Sequence, residues 1–217
     1  MSVAALFLLI CISSLLLAFI AVERARDFSS YDLTVAVAIG AMAGVSRIPF
    51  STLPGVQPAT FLVICSGAVF GSRSGVLVGI ITALVSNTIL GHGAWTLVQM
   101  AGWALIGMLS GLIFFLPEPV VAVSARRATL AAWGFIASMF FGWFMNLWFW
   151  LAFSFPLSLG TWIATVLTSL WFDIAHGLTT ATLLAIGGSD LINLLSKYRS
   201  SAYERKAEFI EAIEASN

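Results

Sequence analysis

A chain of 217 residues that is 60% hydrophobic and only 9% charged, with a mean hydropathy of +1.01, is too apolar for a water-soluble domain and reads as an integral membrane protein. Ten basic and ten acidic residues cancel, so no bulk charge points to nucleic acid or to an acidic partner. Apolar runs close to the ~20 residues that span a bilayer recur, and alternating strands of about ten residues do not, so the class is all-α and polytopic rather than a barrel.

The first apolar run covers residues 3–22 and is followed by Arg24 and Arg26. A secretory signal carries its positive charge ahead of the run, so this order predicts a retained first helix with its N-terminus outside. Cys11 within it, like Cys65 further on, lacks metal-ligand spacing and is expected as a small packed hydrophobe with no redox role. Further runs follow at about 32–46, 59–71, 74–90, 97–116, 129–151 and 160–187, seven in all, with the one at 59–71 short. If each run crosses, Arg24, Arg26, Arg73, Arg126, Arg127, Lys197, Arg199, Arg205 and Lys206 fall on one side and Arg47 alone on the other. Basic residues gather on the cytoplasmic side, which fixes the expected orientation. After residue 188 the chain becomes charged, with Leu191, Leu194, Leu195 and Tyr198 at helical spacing, which predicts a helix lying on the inner membrane surface.

Within the runs small residues recur every fourth position. Ala36, Gly40 and Gly44 share one face of the second run; Gly67 with Gly71, Gly75 with Gly79 and Ala83, Gly107 with Gly111, and Gly134 with Ser138 and Gly142 repeat the pattern. In lipid such faces let backbones approach closely, and the face on the second run reads equally well as bundle packing or as a docking surface. That run leads into Arg47-Ile48-Pro49-Phe50 and Pro54-Gly55-Val56-Gln57-Pro58, an outward loop expected to form part of a binding site. Asn87, Gln99 and Asn146 lie on the small-residue rows at a shared depth near the outer surface. Unsatisfied polar groups are expensive in a bilayer, so these bond between helices or face a cavity open to the outside. Asp173 and His176 stand one turn apart on one face of the last run, and admit structural bracing, a proton relay, a metal site or a substrate contact. Too few other ligands lie at that depth to favour a metal. Trp95, Trp148, Trp150 and Trp162 sit near outer helix ends, as an interfacial belt or as the wall of a pocket. The sequence has no phosphate-binding loop, nucleophile elbow, H-E-x-x-H motif or paired intramembrane carboxylates, so it cannot use ATP unaided and an enzyme is not expected.

Taken together, Arg47-Ile48-Pro49-Phe50, Gln57-Pro58, Gly67 with Phe70-Gly71, Gly75 with Gly79, Val85-Ser86-Asn87, Gly91-His92-Gly93-Ala94-Trp95-Thr96, Gln99-Met100-Ala101-Gly102-Trp103, Gly107 with Gly111, and Phe172-Asp173-Ile174-Ala175-His176 carry a resemblance. The chain resembles the substrate-specific S-component of an energy-coupling factor (ECF) vitamin transporter, most like the cobalamin-type branch, over about residues 33–185. The resemblance implies a six-helix core within residues 29–188, an extra transmembrane helix at 1–28 and a cytoplasmic tail at 189–217. It implies a multi-pass protein of the cell membrane, partnered by a membrane coupling protein and two cytoplasmic ATPase subunits. It implies no cofactor or metal of the protein's own, although a corrinoid substrate carries cobalt. Substrate would bind in an outward cavity roofed by residues 47–58, 90–97 and 151–160, and Ala36, Gly40 and Gly44 would contact the coupling protein. The expected substrate-binding set is Arg47, Gln57, Asn87, His92, Trp95, Gln99, Asn146, Trp148, Asp173 and His176. His92 and Ala94 depart from the family's usual Gly-Gln-Gly-Pro-Trp-Thr run, and Thr180 stands where relatives often place asparagine. Two alternatives use the same residues: an S-component for another vitamin such as riboflavin, and a proton-coupled secondary carrier built on Asp173 and His176.

Overall fold

The computed structural model describes residues 3–23, 30–114 and 123–216. Among these the chain is helical, with no strand: α1 (Val3–Glu23), α2 (Ser30–Ser46), α3 (Ala59–Leu90), α4 (Ala94–Phe114), α5 (Val123–Phe153), α6 (Leu159–Leu183) and α7 (Ser189–Ser216). A short 3-10 turn, Ile48–Phe50, follows α2, and a five-residue π-helical turn, Leu184–Gly188, joins α6 to α7. Arg24 and Arg26 lie outside the described residues, as does the end of the run expected at 97–116.

Among the described residues five helices are long and apolar enough to cross a membrane: Ser30–Phe50, Ala59–Leu90, Ala94–Phe114, Ala125–Phe153 and Leu159–Arg205. The runs expected separately at 59–71 and 74–90 are merged in α3, and of the first run only the shorter stretch Ala5–Ser14 counts, which is why a count by length gives five and not seven. The element is nevertheless not straight. Thr60 and Gly79 both pack on Trp103, although a straight helix would hold residues 19 positions apart about 28 Å from each other. The chain therefore doubles back at Gly71, the residue with non-helical dihedrals (φ 85°, ψ 176°) inside the element. A positive φ there is open to glycine and costly for a residue with a Cβ.

Close backbone approach then sets the packing. Gly67, on the first limb of α3, and Gly75, on the second, both lie against Gly107 of α4, and Gly111 meets the reversal at Gly71 and Ser72. Without side chains at these points, the two limbs and α4 form one tight layer held by dispersion rather than by exclusion of water. On the other side of the second limb, Gly40 of α2 faces Ile81, where an added Cβ would sit 2.7 Å from Ile81 Cβ, and Gly44 faces Val85 at 2.8 Å. Ala36, Gly40 and Gly44 are all buried. The expectation that this stripe is a docking face for a partner is thus corrected: α3 already fills it, because its glycines admit the second limb. The opposite face of α2 stays open, with Met42 and Val45 62% and 51% exposed.

The remaining long helices form an antiparallel pair. Gly134 lies against Thr180 and Leu184, Ser138 donates to Thr180 at 2.9 Å, Gly142 faces Asp173, and Trp150 donates to Thr161 at 2.9 Å. Ser158 caps α6, accepting from the Thr161 backbone N–H at 3.2 Å. The tail is helical, as the leucine spacing predicts. Leu191 and Leu195 pack against the core while Leu194 and Tyr198 stay exposed. It runs as a strap across one end of the bundle: Arg126 donates to Asn193 at 3.1 Å, Arg199 to the Val69 carbonyl at 2.9 Å, and Tyr203 to Asp32 at 3.2 Å. The end bearing this strap also carries Arg73, Arg126 and Arg127, whereas Arg47 lies at the opposite end with the loops of residues 47–58, 91–93 and 154–158.

Candidate functional site

The site is built at the loop end. Arg47 follows α2 directly, and Pro49 sets the short 3-10 turn after it. Successive turns fold the next residues inward, with Phe50 N–H bonded to the Arg47 carbonyl at 3.2 Å, Leu53 to Phe50 at 2.9 Å and Val56 to Leu53 at 3.1 Å. Gly55 takes φ +78° and presses on Phe172 and Ala175 of α6, where a Cβ would collide. The loop thereby spans from α2 to α6 and walls a half-open cavity of ≈ 370 Å³, lined by Arg47, Phe50, Ser51, Leu53, Pro54, Gly55, Gln57 and Leu90.

Beside it runs a polar network drawn from α3, α4, α6 and Arg47 of the loop. Arg47 Nη1 donates to Ser86 Oγ at 2.6 Å and to Asn87 Oδ1 at 3.4 Å. Asn87 Nδ2 donates to Thr96 Oγ1 at 2.9 Å and to Gln99 Oε1 at 2.7 Å. The guanidinium carbon stands 4.9 Å from the Trp103 ring centroid, a cation over a π face. Trp103 Nε1 donates to Thr60 Oγ1 at 3.0 Å, and Thr60 is 2.8 Å from His176 Nε2. Phe141 closes the group, stacked on Trp103 at 4.6 Å and meeting His176 edge-on at 5.7 Å. Burial makes each bond consequential, since any orphaned member would pay its desolvation in full.

A second polar group lies between α5 and α6. Asn146 Nδ2 donates to Ser169 Oγ at 2.6 Å and to Asp173 Oδ2 at 3.1 Å, and Ser169 donates to the same oxygen at 3.0 Å. Asp173 and His176 share a helix face as expected, but they do not bond to each other; each takes its own partners. Among the described residues no group of three or more His, Cys, Asp or Glu could hold a metal.

The structure thus brings Arg47, Asn87, Gln99 and His176 into one network and sets Gln57 on the cavity wall. Asn146 and Asp173 form the separate group just described. His92 is exposed, 3.4 Å from both Thr88 and Thr96, and Trp95 is 41% exposed. Trp148 is buried edge-on against Phe153 at 5.5 Å. None of these last three, though expected in the substrate-binding set, lines the cavity. Thr60, Ser86, Thr96 and Trp103 were not singled out by sequence reasoning as members of the site. Hydroxyls inside apolar runs commonly bond their own helix, and only a tertiary partner tells the two uses apart. A larger apolar recess, ≈ 560 Å³, opens on the flank between α1 and α4 beside Cys11, Met108 and Phe144, away from every polar candidate. No protein-family model matches the chain, and no solved structure matches it.

Proposed function

We propose that this protein is the solute-capturing subunit of a membrane importer, of the S-component kind, which binds a small molecule at the loop end and depends on partner proteins for energy. The observation that carries the reading is the loop-walled cavity of ≈ 370 Å³ with Arg47 and Gln57 in its wall, set over a buried network from Arg47, α3, α4 and α6. A concave site with a few convergent polar groups is the usual form of a small-molecule site. In this reading the loop end faces outward and the strap end faces the cytoplasm, which agrees with the basic residues gathered there. The core then crosses six times, with the two limbs of α3 as separate crossings, and α1 adds a seventh.

The volume bears on the substrate. Small-molecule sites range over about 300–1,000 Å³, and ≈ 370 Å³ favours a compact vitamin-sized solute over a corrinoid. A coupling protein and two ATPases remain the proposed partners, because the sequence offers no nucleotide site of its own. With the Ala36, Gly40 and Gly44 stripe filled by α3, the docking face on α2 is its exposed side, which includes Thr34, Ala38 and Met42. The proton-carrier alternative draws less support, since Asp173 and His176 serve separate hydrogen-bond groups and form no relay.

Uptake measured in proteoliposomes, with and without the partner module, tests this. ATP-dependent accumulation only with the partners supports it; accumulation by this chain alone that follows a proton gradient sinks it in favour of the carrier.

A further inference from the structure

Among the described residues the cation at the cavity has no anion. Arg47 is nine-tenths buried, at 9% exposed, and among the described residues its side chain makes no ion pair. Both of its hydrogen bonds leave from Nη1, and Nε is sealed from water without a partner. Two features offset its charge in part: the Trp103 face and the carbonyl end of α3, whose last turns carry Ser86 and Asn87. Neither supplies a full negative charge. The buried carboxylate of Asp173 is committed to Asn146 and Ser169. A second orphan sits in the same wall, because Gln57 Oε1 is buried without a partner. A glutamine amide can turn to present either its oxygen or its NH₂. A guanidinium held in low dielectric without a counter-charge is costly, and its planar fork matches an oxyanion.

We propose that the cavity is completed by an oxyanion, the carboxylate or phosphate of a bound molecule, received by Arg47 and Gln57. The inference rests on reading the cavity as a binding site and narrows it to acidic ligands, away from those recognised by amide edges alone. The same chemistry is offered by a soluble acid and by the headgroup of an anionic lipid at the membrane surface.

The test uses the full chain in phosphatidylcholine nanodiscs, read by thermal unfolding and by tryptophan fluorescence. Nicotinate, benzoate and inorganic phosphate are titrated beside the neutral isosteres nicotinamide and benzamide, and a parallel set of nanodiscs contains phosphatidylglycerol. Each acid is expected to bind about tenfold or more tightly than its amide. Arg47→Gln should abolish that preference and Arg47→Lys should keep part of it. The acid-to-amide comparison is made on the unmodified chain, so it holds even if Arg47→Gln fails to fold. Equal binding of acid and amide overturns the inference while leaving a solute site in place. A response to phosphatidylglycerol alone, lost in Arg47→Gln, upholds the oxyanion and defeats the soluble-solute reading. No response to any anion or to anionic lipid overturns the inference.

Discussion

Asn87 is the residue through which the loop end holds together, since it accepts from Arg47 and donates to both Thr96 and Gln99. Asn87→Ala would leave these groups short of partners inside the bundle, at a cost of about 1–3 kcal/mol, which a lowered unfolding temperature would register. Asn87→Asp separates structure from ligand binding. It sets a carboxylate where Oδ1 now stands, 3.4 Å from Arg47 Nη1, and Gln99 and Thr96 can turn to donate to it. The fold should survive with its unfolding temperature held or raised, while any preference for acidic ligands disappears; retained preference would mean that Arg47 does not read charge. Arg47 was visible in the sequence because it is the one basic residue on its side. Trp103 and Thr60 were not, because an aromatic and a hydroxyl in apolar runs gain their meaning only from each other, at 3.0 Å across 43 positions.

At the scale of elements, glycines decide which helices touch. Gly71→Ala would force a Cβ into φ 85°, ψ 176°, a strain of roughly 1–3 kcal/mol, and should lower the unfolding temperature without touching the cavity. Gly40→Leu carries a heavier demand, because the new side chain meets Ile81 and the backbone of Val78. It should impair folding and therefore both ligand binding and uptake. By contrast, Ala38→Trp on the exposed face of α2 should leave binding by the isolated chain intact and reduce uptake by the assembled importer. If Gly40→Leu instead spared binding and blocked only uptake, the assignment of this stripe to bundle packing would be wrong. The four-residue spacing announced the small faces plainly in the sequence, but spacing does not say which neighbour fills a face. The reversal at Gly71 was legible as a break between two runs. Its tightness was not, because Gly71-Ser72-Arg73-Ser74-Gly75 has the composition of an ordinary loop, whereas only Gly71 leaves helical dihedrals.

For the whole molecule, sequence and structure agree on a helical chain fit to be membrane-embedded, with Arg73, Arg126, Arg127 and Arg199 gathered at one end and Arg47 at the other. What hydropathy could not reveal is that the tail ties three helices together at that end, through Asn193, Arg199 and Tyr203. Tyr203→Phe removes the bond to Asp32 and should cost about 0.5–1.5 kcal/mol, read as faster hydrogen exchange at the start of α2 with the loop end unchanged. The partition into a strap end and a ligand end underlies the account, and its central claim is that the loop-end cavity holds a small molecule. Native mass spectrometry of the full chain released from its own membrane tests that claim most directly. The account predicts a one-to-one adduct with a compact, non-lipid molecule that is absent from the Asn87→Asp variant. Adducts of lipid alone, or no adduct at all, would contradict it, whereas a small-molecule adduct that persists undiminished in that variant would keep the site and overturn its preference for an oxyanion.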